Sequence, residues 1–316
     1  KNFQLSLTEE IDGIKWSWLR VYPYKVNDIK RYLNIVSFCL HISLRLFITS
    51  IFEKSPDIIF ASSPQLPAAF ICLLIAKILG KPFVVEIRDL WPQVLLEQGG
   101  IKKSNFIIKL LSMMEKYIYK NSDHVIVLAK GSMQFVRKRG AKNISWLPNG
   151  PDLNDFKEIN ISKEPEKFSF NEPFKIFYTG AHGEANALDI LIDAARLIQD
   201  LPIKIVLVGD GPEKNNLIKY ANGLENIQFL NPVPKKYIPT LLKDANAVAL
   251  ILKNINLFSY GVSPNKLYDA YALSKPVITN VNGDINDEVR LNNLGVTSQP
   301  GSSLDLAKSI KILFQK

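Results

Sequence analysis

From residue 174 to the C-terminus, short apolar runs alternate with helical stretches, and no other feature of the chain constrains its fold as strongly. Residues 174–178 (FKIFY), 204–208 (KIVLV), 226–230 (NIQFL), 247–252 (AVALIL), 276–279 (PVIT) and 295–298 (GVTS) read as strands. Helices are expected at 187–198, from Pro212, from about Lys235, from Ser263, near 284–292 and from about Ser303. Short apolar strands that each lead into a helix make right-handed βαβ units on a parallel sheet. The first half repeats the pattern, with strands at 13–21, 57–62, 82–87, 124–129 and 144–150 and helices at 28–53, 66–79, 103–120 and 131–139. The stretch 151–173 is polar, has no apolar period and reads as a linker. The expected architecture is therefore α/β, with two doubly wound, parallel-sheet, Rossmann-like domains at 1–150 and 174–316. They are expected to face each other across a cleft, where such sheets bind ligands at their strand ends.

Apolar content of 47% and charged content of 22% exclude a disordered chain, and 316 residues suit two domains. The net charge of +9 is unevenly spread: residues 1–150 hold 21 Lys and Arg against 11 Asp and Glu, whereas residues 151–316 hold 18 against 19. A basic half of this kind serves solubility alone or meets an anionic partner, whether a phospholipid surface, a diphosphate or nucleic acid. Nucleic acid is disfavoured, because no recognition helix or aromatic platform accompanies the charge. The most apolar stretch, 35–52, carries His41 and Arg45, so no transmembrane span is expected. It reads as a core helix or as one resting on a membrane interface. Cys39 and Cys72 lie in apolar helical runs and suit a reducing compartment.

Three strand-to-helix turns in the second half could carry chemistry. YTGAHGE (178–184) places Gly180, His182 and Gly183 where a strand gives way to a helix, and VGDGPE (208–213) does the same with Gly209 and Gly211. In SPNKLYD (263–269), Ser263 can cap a helix, Pro264 suits its first position, and Lys266 and Asp269 share a face three residues apart. Glycines let a backbone approach a phosphate, and amides at a helix start can bind it. Each turn also suits a purely geometric role. Three on one sheet edge point to a nucleotide diphosphate. Neither glycine turn is a dinucleotide fingerprint or a P-loop.

In the first half, EIRDLWPQ (86–93) sets Arg88, Asp89 and Trp91 just past a strand end, where they could line a cleft or form a structural ion pair. The basic run VRKRG (136–140) fits a solvated helix end or a contact with anionic lipid. His41, His124 and His182 show no metal-ligand spacing, and no Asp-x-Asp pair is present, so no metal is expected.

Taken in order, the segments YPYKVNDIKR, EIRDLWPQ, SDHVIVLAKG, LPNGPD, YTGAHGEANALDILIDAA, LVGDGPEKNNL, NIQFLNPVPKKYIP and SPNKLYDAYALSKPVI resemble the family-four glycosyltransferases of the GT-B kind. They are most similar to the bacterial branch of L-fucosamine and N-acetyl-amino-sugar transferases that build O-antigen and capsule. The resemblance implies a retaining transfer from a UDP-sugar to a polyprenyl-diphosphate-linked glycan, on the cytoplasmic face of the membrane and without a metal or other cofactor. By position, Lys266 and the helix-start amides of Pro264, Asn265 and Lys266 would hold the diphosphate, Asp269 the ribose, and Pro232 and Val233 the uracil. Gly180 would lie near the diphosphate and Asp89 near the transferred sugar, while His182, Gly209 and Ser263 are candidate donor-site residues from the turns themselves.

The chain departs from the family at two points. Gly261 stands where relatives have the first Glu of Glu-x7-Glu, and the Arg and Lys after the first glycine turn are absent. Relatives also carry a further strand and Gly-rich loop before this sequence and a helix after it, so a truncated chain is expected. The rival readings are a UDP-sugar 2-epimerase on the same fold and a non-catalytic nucleotide-sugar-binding partner.

Overall fold

A computed structural model describes residues 6–24, 29–157 and 174–316, and the expected linker therefore lies outside the described residues from 158 onward. Contacts divide the chain into two compact units. The first holds residues up to Leu128 together with Ser132–Leu147, and the second holds Ala129–Gly131 and Pro148–Lys316.

The first unit opens with a hairpin, β1 (Ser6–Ile11) paired antiparallel with β2 (Ile14–Leu19). Asp12 and Gly13 join them, both with positive φ (53° and 75°), as a tight two-residue hairpin turn requires. The strand expected at 13–21 thus exists, but it pairs locally instead of joining the parallel sheet. A long helix follows, α1 (Ile29–Phe52). Then come β3 (Ile59–Ser62), α2 (Leu66–Leu79), β4 (Phe83–Ile87), the short α3 (Gln93–Glu97), α4 (Phe106–Asn121), β5 (His124–Val127), α5 (Ser132–Lys138) and β6 (Ile144–Trp146). The four strands β3 to β6 form a parallel sheet in chain order. α2 packs on both α1 and α4, and its own core face is almost wholly buried (Ala69, Leu73 and Ala76 among others).

Reading α1 as a core helix does not hold. Only Cys39 is buried, and Leu33, Val36, Leu40, Leu44, Ile48 and Ile51 form an exposed stripe at three- and four-residue spacing. By length and composition α1 could also cross a membrane.

In the second unit the elements are α6 (Leu153–Lys157), β7 (Phe174–Thr179), α7 (Leu188–Arg196), β8 (Ile203–Val208), α8 (Lys214–Tyr220), β9 (Ile227–Leu230), α9 (Ile238–Lys243), β10 (Ala247–Leu250), α10 (Asn256–Ser259), α11 (Asn265–Ala272), β11 (Val277–Thr279), α12 (Asp284–Leu291), β12 (Gly295–Thr297) and α13 (Ser303–Phe314). The six strands are all parallel, in the order β12-β11-β10-β7-β8-β9. Successive side chains along a strand point to opposite faces, and both faces here are dry. Ile176, Tyr178, Ile205 and Leu207 pack with α7 and α13 on one side. Phe177, Val206, Val208 and Leu250 pack with α9, α11 and α12 on the other. Two Rossmann-like α/β units result, and strand order reverses in the second sheet where β7 meets β10.

Candidate functional site

The loops leaving β7 and β8 near that reversal open onto a cavity of about 500 Å³ within the second unit. A strand-order reversal is where open α/β sheets leave a crevice at their strand ends. Thr179 and Gly180 come from the end of β7, and Val208, Gly209 and Asp210 from the end of β8. Pro232 and Val233 follow β9, while Asn265, Lys266 and Asp269 come from the start of α11.

Lys266 dominates the electrostatics. Its ammonium lies 3.7 Å from the centre of the Tyr178 ring and has no carboxylate partner among the described residues. The residue as a whole is partly exposed, yet its charged end is crowded by protein. Desolvation lowers its pKa to about 7. Tyr178 is itself fixed, since its hydroxyl donates to the Ala181 carbonyl at 2.7 Å. A cation held over an aromatic face with no counter-ion favours an anionic ligand.

The glycine turns are built around close backbone approach. A Cβ on Gly209, whose φ is 152°, would stand 1.8 Å from the Gly180 carbonyl oxygen. Only glycine fits there. His182 ties the two turns together, its N–H donating to the Asp210 carbonyl at 2.8 Å and its carbonyl accepting from the Glu213 N–H at 3.0 Å. Its ring is fully buried between Tyr178 and Phe229, and among the described residues neither nitrogen has a partner. Burial, and then the positive charge of Lys214, lowers its pKa. His182 stands behind the cavity rather than on its wall.

Ser263 and Pro264 differ from expectation. α11 begins at Asn265 with Pro264 as its extended N-cap residue, and no side chain caps it. The Ser263 hydroxyl instead accepts from the Asn149 N–H at 3.1 Å and bonds the Tyr268 hydroxyl at 2.9 Å. Pro264 has no N–H, so the amides available at the helix start are those of Asn265 and Lys266. Neither Ser263 nor Pro264 lines the cavity. Asp89 lies in the first unit beyond β4. It is exposed by area, and its pKa is raised by desolvation with Arg88 opposing. The structure therefore gathers Gly180, Gly209, Pro232, Val233, Asn265, Lys266 and Asp269 on one cavity.

Gly261 has a steric cause. At φ 98°, a Cβ there would meet Asp284 Oδ2 at 2.8 Å and the Ala129 Cβ at 2.9 Å, so a side chain has no room. The Asp284 carboxylate is already used, accepting from the Gly131 N–H at 3.0 Å.

Sequence reasoning missed Tyr178, Asp210, Lys214 and Lys235. Asp210 and Lys235 line the cavity. Lys214 donates to the Gly209 and Leu230 carbonyls at 2.8 and 3.0 Å and to Asn231 Oδ1 at 3.3 Å, so its three protons bind the β8 turn to the end of β9. Its position in the first turn after Gly-Pro was the available signal. Among the described residues no group of three His, Cys, Asp or Glu is placed to hold a metal ion.

Two family models match consecutive halves of the chain: one described as a glycosyl transferase 4-like domain over residues 7–150, the other as glycosyl transferases group 1 over residues 173–316. The chain is 27% identical over 255 residues to WcaI of Escherichia coli (strain K12), described as a colanic acid biosynthesis glycosyl transferase. The match spans 78% of this chain and 62% of WcaI. Among solved structures, sucrose-phosphate synthase from Thermosynechococcus elongatus superposes with a TM-score of 0.75 at 16% identity, covering 100% of this chain and 77% of that one. HepE of Anabaena in complex with UDP gives 0.66 at 18% identity, covering 87% and 72%.

Proposed function

We propose that this chain, which belongs to the two-domain GT-B glycosyltransferases, binds a UDP-sugar in the cavity of its second unit and passes the sugar to a lipid-linked glycan in cell-surface polysaccharide assembly. One observation carries the reading: Lys266 is crowded by protein, lacks a counter-ion among the described residues, and opens onto a cavity at the strand ends whose wall also holds Asp269. A diphosphate supplies the missing negative charge. Lys266 and the amides of Asn265 and Lys266 would hold its oxygens, and Asp269 would accept from ribose hydroxyls. The apolar turn at Pro232 and Val233 would receive uracil. UDP in the HepE complex supports the choice of base.

The chemistry follows from charge. As the sugar–oxygen bond breaks, negative charge grows on the departing diphosphate, and a preplaced ammonium with helix-start amides stabilises that charge. With the leaving phosphate oxygen positioned to take the acceptor proton on the same face, configuration is retained and neither a metal nor a pair of catalytic carboxylates is needed. Asp89 is assigned to the transferred sugar, taken here as an N-acetyl-amino sugar. A polyprenyl diphosphate carries the acceptor, and the basic first half with α1 would rest on the cytoplasmic leaflet.

A thermal-shift titration with UDP, GDP, ADP and UDP-amino sugars tests the donor site. Ligand at about 100 times its dissociation constant stabilises the fold by about 2.7 kcal/mol. A UDP-selective shift that Lys266→Ala and Asp269→Ala abolish is the expected result, and equal shifts with all three nucleotides would remove the assignment of uracil. Glycine at 261, which offers no carboxylate to a donor sugar, favours one second reading, a non-catalytic nucleotide-sugar binder. Such a protein would show the UDP shift but release no UDP from any donor.

A further inference from the structure

A second cavity, also about 500 Å³, lies within the first unit and shares no residue with the donor cavity. Its wall carries Lys103, Lys109, Lys116 and Arg139 and no aspartate or glutamate. Lys109, Ser112 and Lys116 recur at i, i+3 and i+7 on α4, so one helix face presents two ammonium groups and a hydroxyl. Lys103 precedes α4 and Arg139 follows α5, so three separate stretches of chain bring cations to one concavity. Surface lysines on helices are commonly relieved by carboxylates three or four residues away. On α4 the sole acid is Glu115, and it is turned inward.

Glu115 has a different task. Its Oε2 accepts from Arg139 Nε at 2.9 Å, with the carboxylate side chain fully buried and that of Arg139 25% exposed. The guanidinium also stacks over the Phe135 ring at 4.1 Å. Nε and one face of the guanidinium are thus engaged, and Arg139 also lines the cavity, where a guanidinium offers the planar fork that suits a phosphate. Gln93 also lines the cavity. It is only 9% exposed, and its buried Oε1 has no hydrogen-bond partner among the described residues. A carboxamide can turn either end toward a ligand.

We propose that this cavity is a binding site for a phosphate-bearing anion, with Arg139 as the oriented fork and Lys103, Lys109 and Lys116 as surrounding charges. The volume admits a diphosphate or a lipid headgroup, which share this chemistry. The site does not depend on the donor reading, because none of its residues takes part in the donor cavity.

The test uses the whole chain carrying Lys266→Ala, which silences the donor cavity. Inorganic pyrophosphate is titrated by calorimetry, and in parallel the protein is mixed with vesicles of phosphatidylcholine, with and without phosphatidylglycerol. Pyrophosphate should still bind in this background. Adding Lys109→Ala and Lys116→Ala should weaken it by at least about tenfold, a loss of about one charge-assisted hydrogen bond. Arginine at both positions should restore it. Both lysines are exposed, so the melting temperature should not move. Phosphatidylglycerol-dependent vesicle binding lost in the same variant would identify a lipid headgroup, and loss confined to pyrophosphate a soluble anion. The site is overturned if neither probe binds the Lys266→Ala chain, or if the lysine variant binds both undiminished. Should Lys266→Ala fail to fold, wild type and the lysine variant are compared directly, and one of two pyrophosphate binding events should disappear. A wild-type chain that ignores UDP would remove the donor reading without touching this one.

Discussion

Lys266 owes its low pKa to desolvation by burial, and this sets the pH dependence of two observables. The folded value of about 7 lies below the ordinary 10.5, so the unfolded chain binds more protons between those limits. Stability should therefore rise with pH from about 7 to 10.5, and below 7 the whole desolvation cost is carried. Lys266→Met should raise stability at pH 6 by about 1–3 kcal/mol, read from the denaturant midpoint, with the gain shrinking toward pH 10. The same group makes anion binding proton-linked: wild-type UDP affinity should fall by up to about tenfold per pH unit above 7, and Lys266→Met should bind weakly and flatten the profile. Glu115 runs the other way. Desolvation raises it to about 7 against the opposing charge of Arg139, so the folded chain holds a proton there that the unfolded chain has already lost. Stability should decline as pH rises from 4.5 toward 7, and Glu115→Gln should remove that slope. Asp89→Asn should lower turnover and leave the UDP-induced thermal shift unchanged. A reduced shift would place Asp89 in donor binding instead.

Among the elements, the β7 and β8 turns act as one piece because the Gly209 Cα rests against the Gly180 carbonyl. Gly209→Ala should separate them, costing about 3 kcal/mol or more of stability and abolishing the UDP shift. Gly223→Ala, with nothing within 4 Å of its added methyl, should cost only the strain of its positive φ (84°), about 1 kcal/mol, and leave binding intact. Element identity was legible wherever burial imposed a period. β7, β8 and β10 are dry on both faces, and their apolar runs announce it. β1 escaped notice because SLTEEI is exposed along almost its whole length and finds its partner only across the Asp12-Gly13 turn. The helix-start residues were legible at Lys266 and Asp269, which share a local face. The cap at Ser263 was misread because its hydroxyl is claimed by Asn149, 114 residues earlier. The reason for Gly261 was equally hidden, since Ala129 and Asp284 crowd it from distant parts of the chain.

At the scale of the molecule, charge and apolar surface concentrate in the same half. The first 150 residues hold the entire basic excess, and α1 adds a stripe of exposed leucine, isoleucine and valine. If that stripe meets lipid, Leu40→Asp with Leu44→Asp should leave the melting temperature unchanged and remove sedimentation with anionic vesicles. A lowered melting temperature with vesicle binding retained would assign the stripe to packing.

The second unit is assembled from two stretches of chain, because Ala129–Gly131 belongs to it while Ser132–Leu147 returns to the first. Its boundary is consequently not a point at which a gene could be cut. A piece begun at Pro148 would carry the cavity of the second unit and every strand of the six-stranded sheet, yet would lose the amide that Gly131 offers to Asp284. Recombination that exchanged this unit between relatives would have to carry those three residues as well.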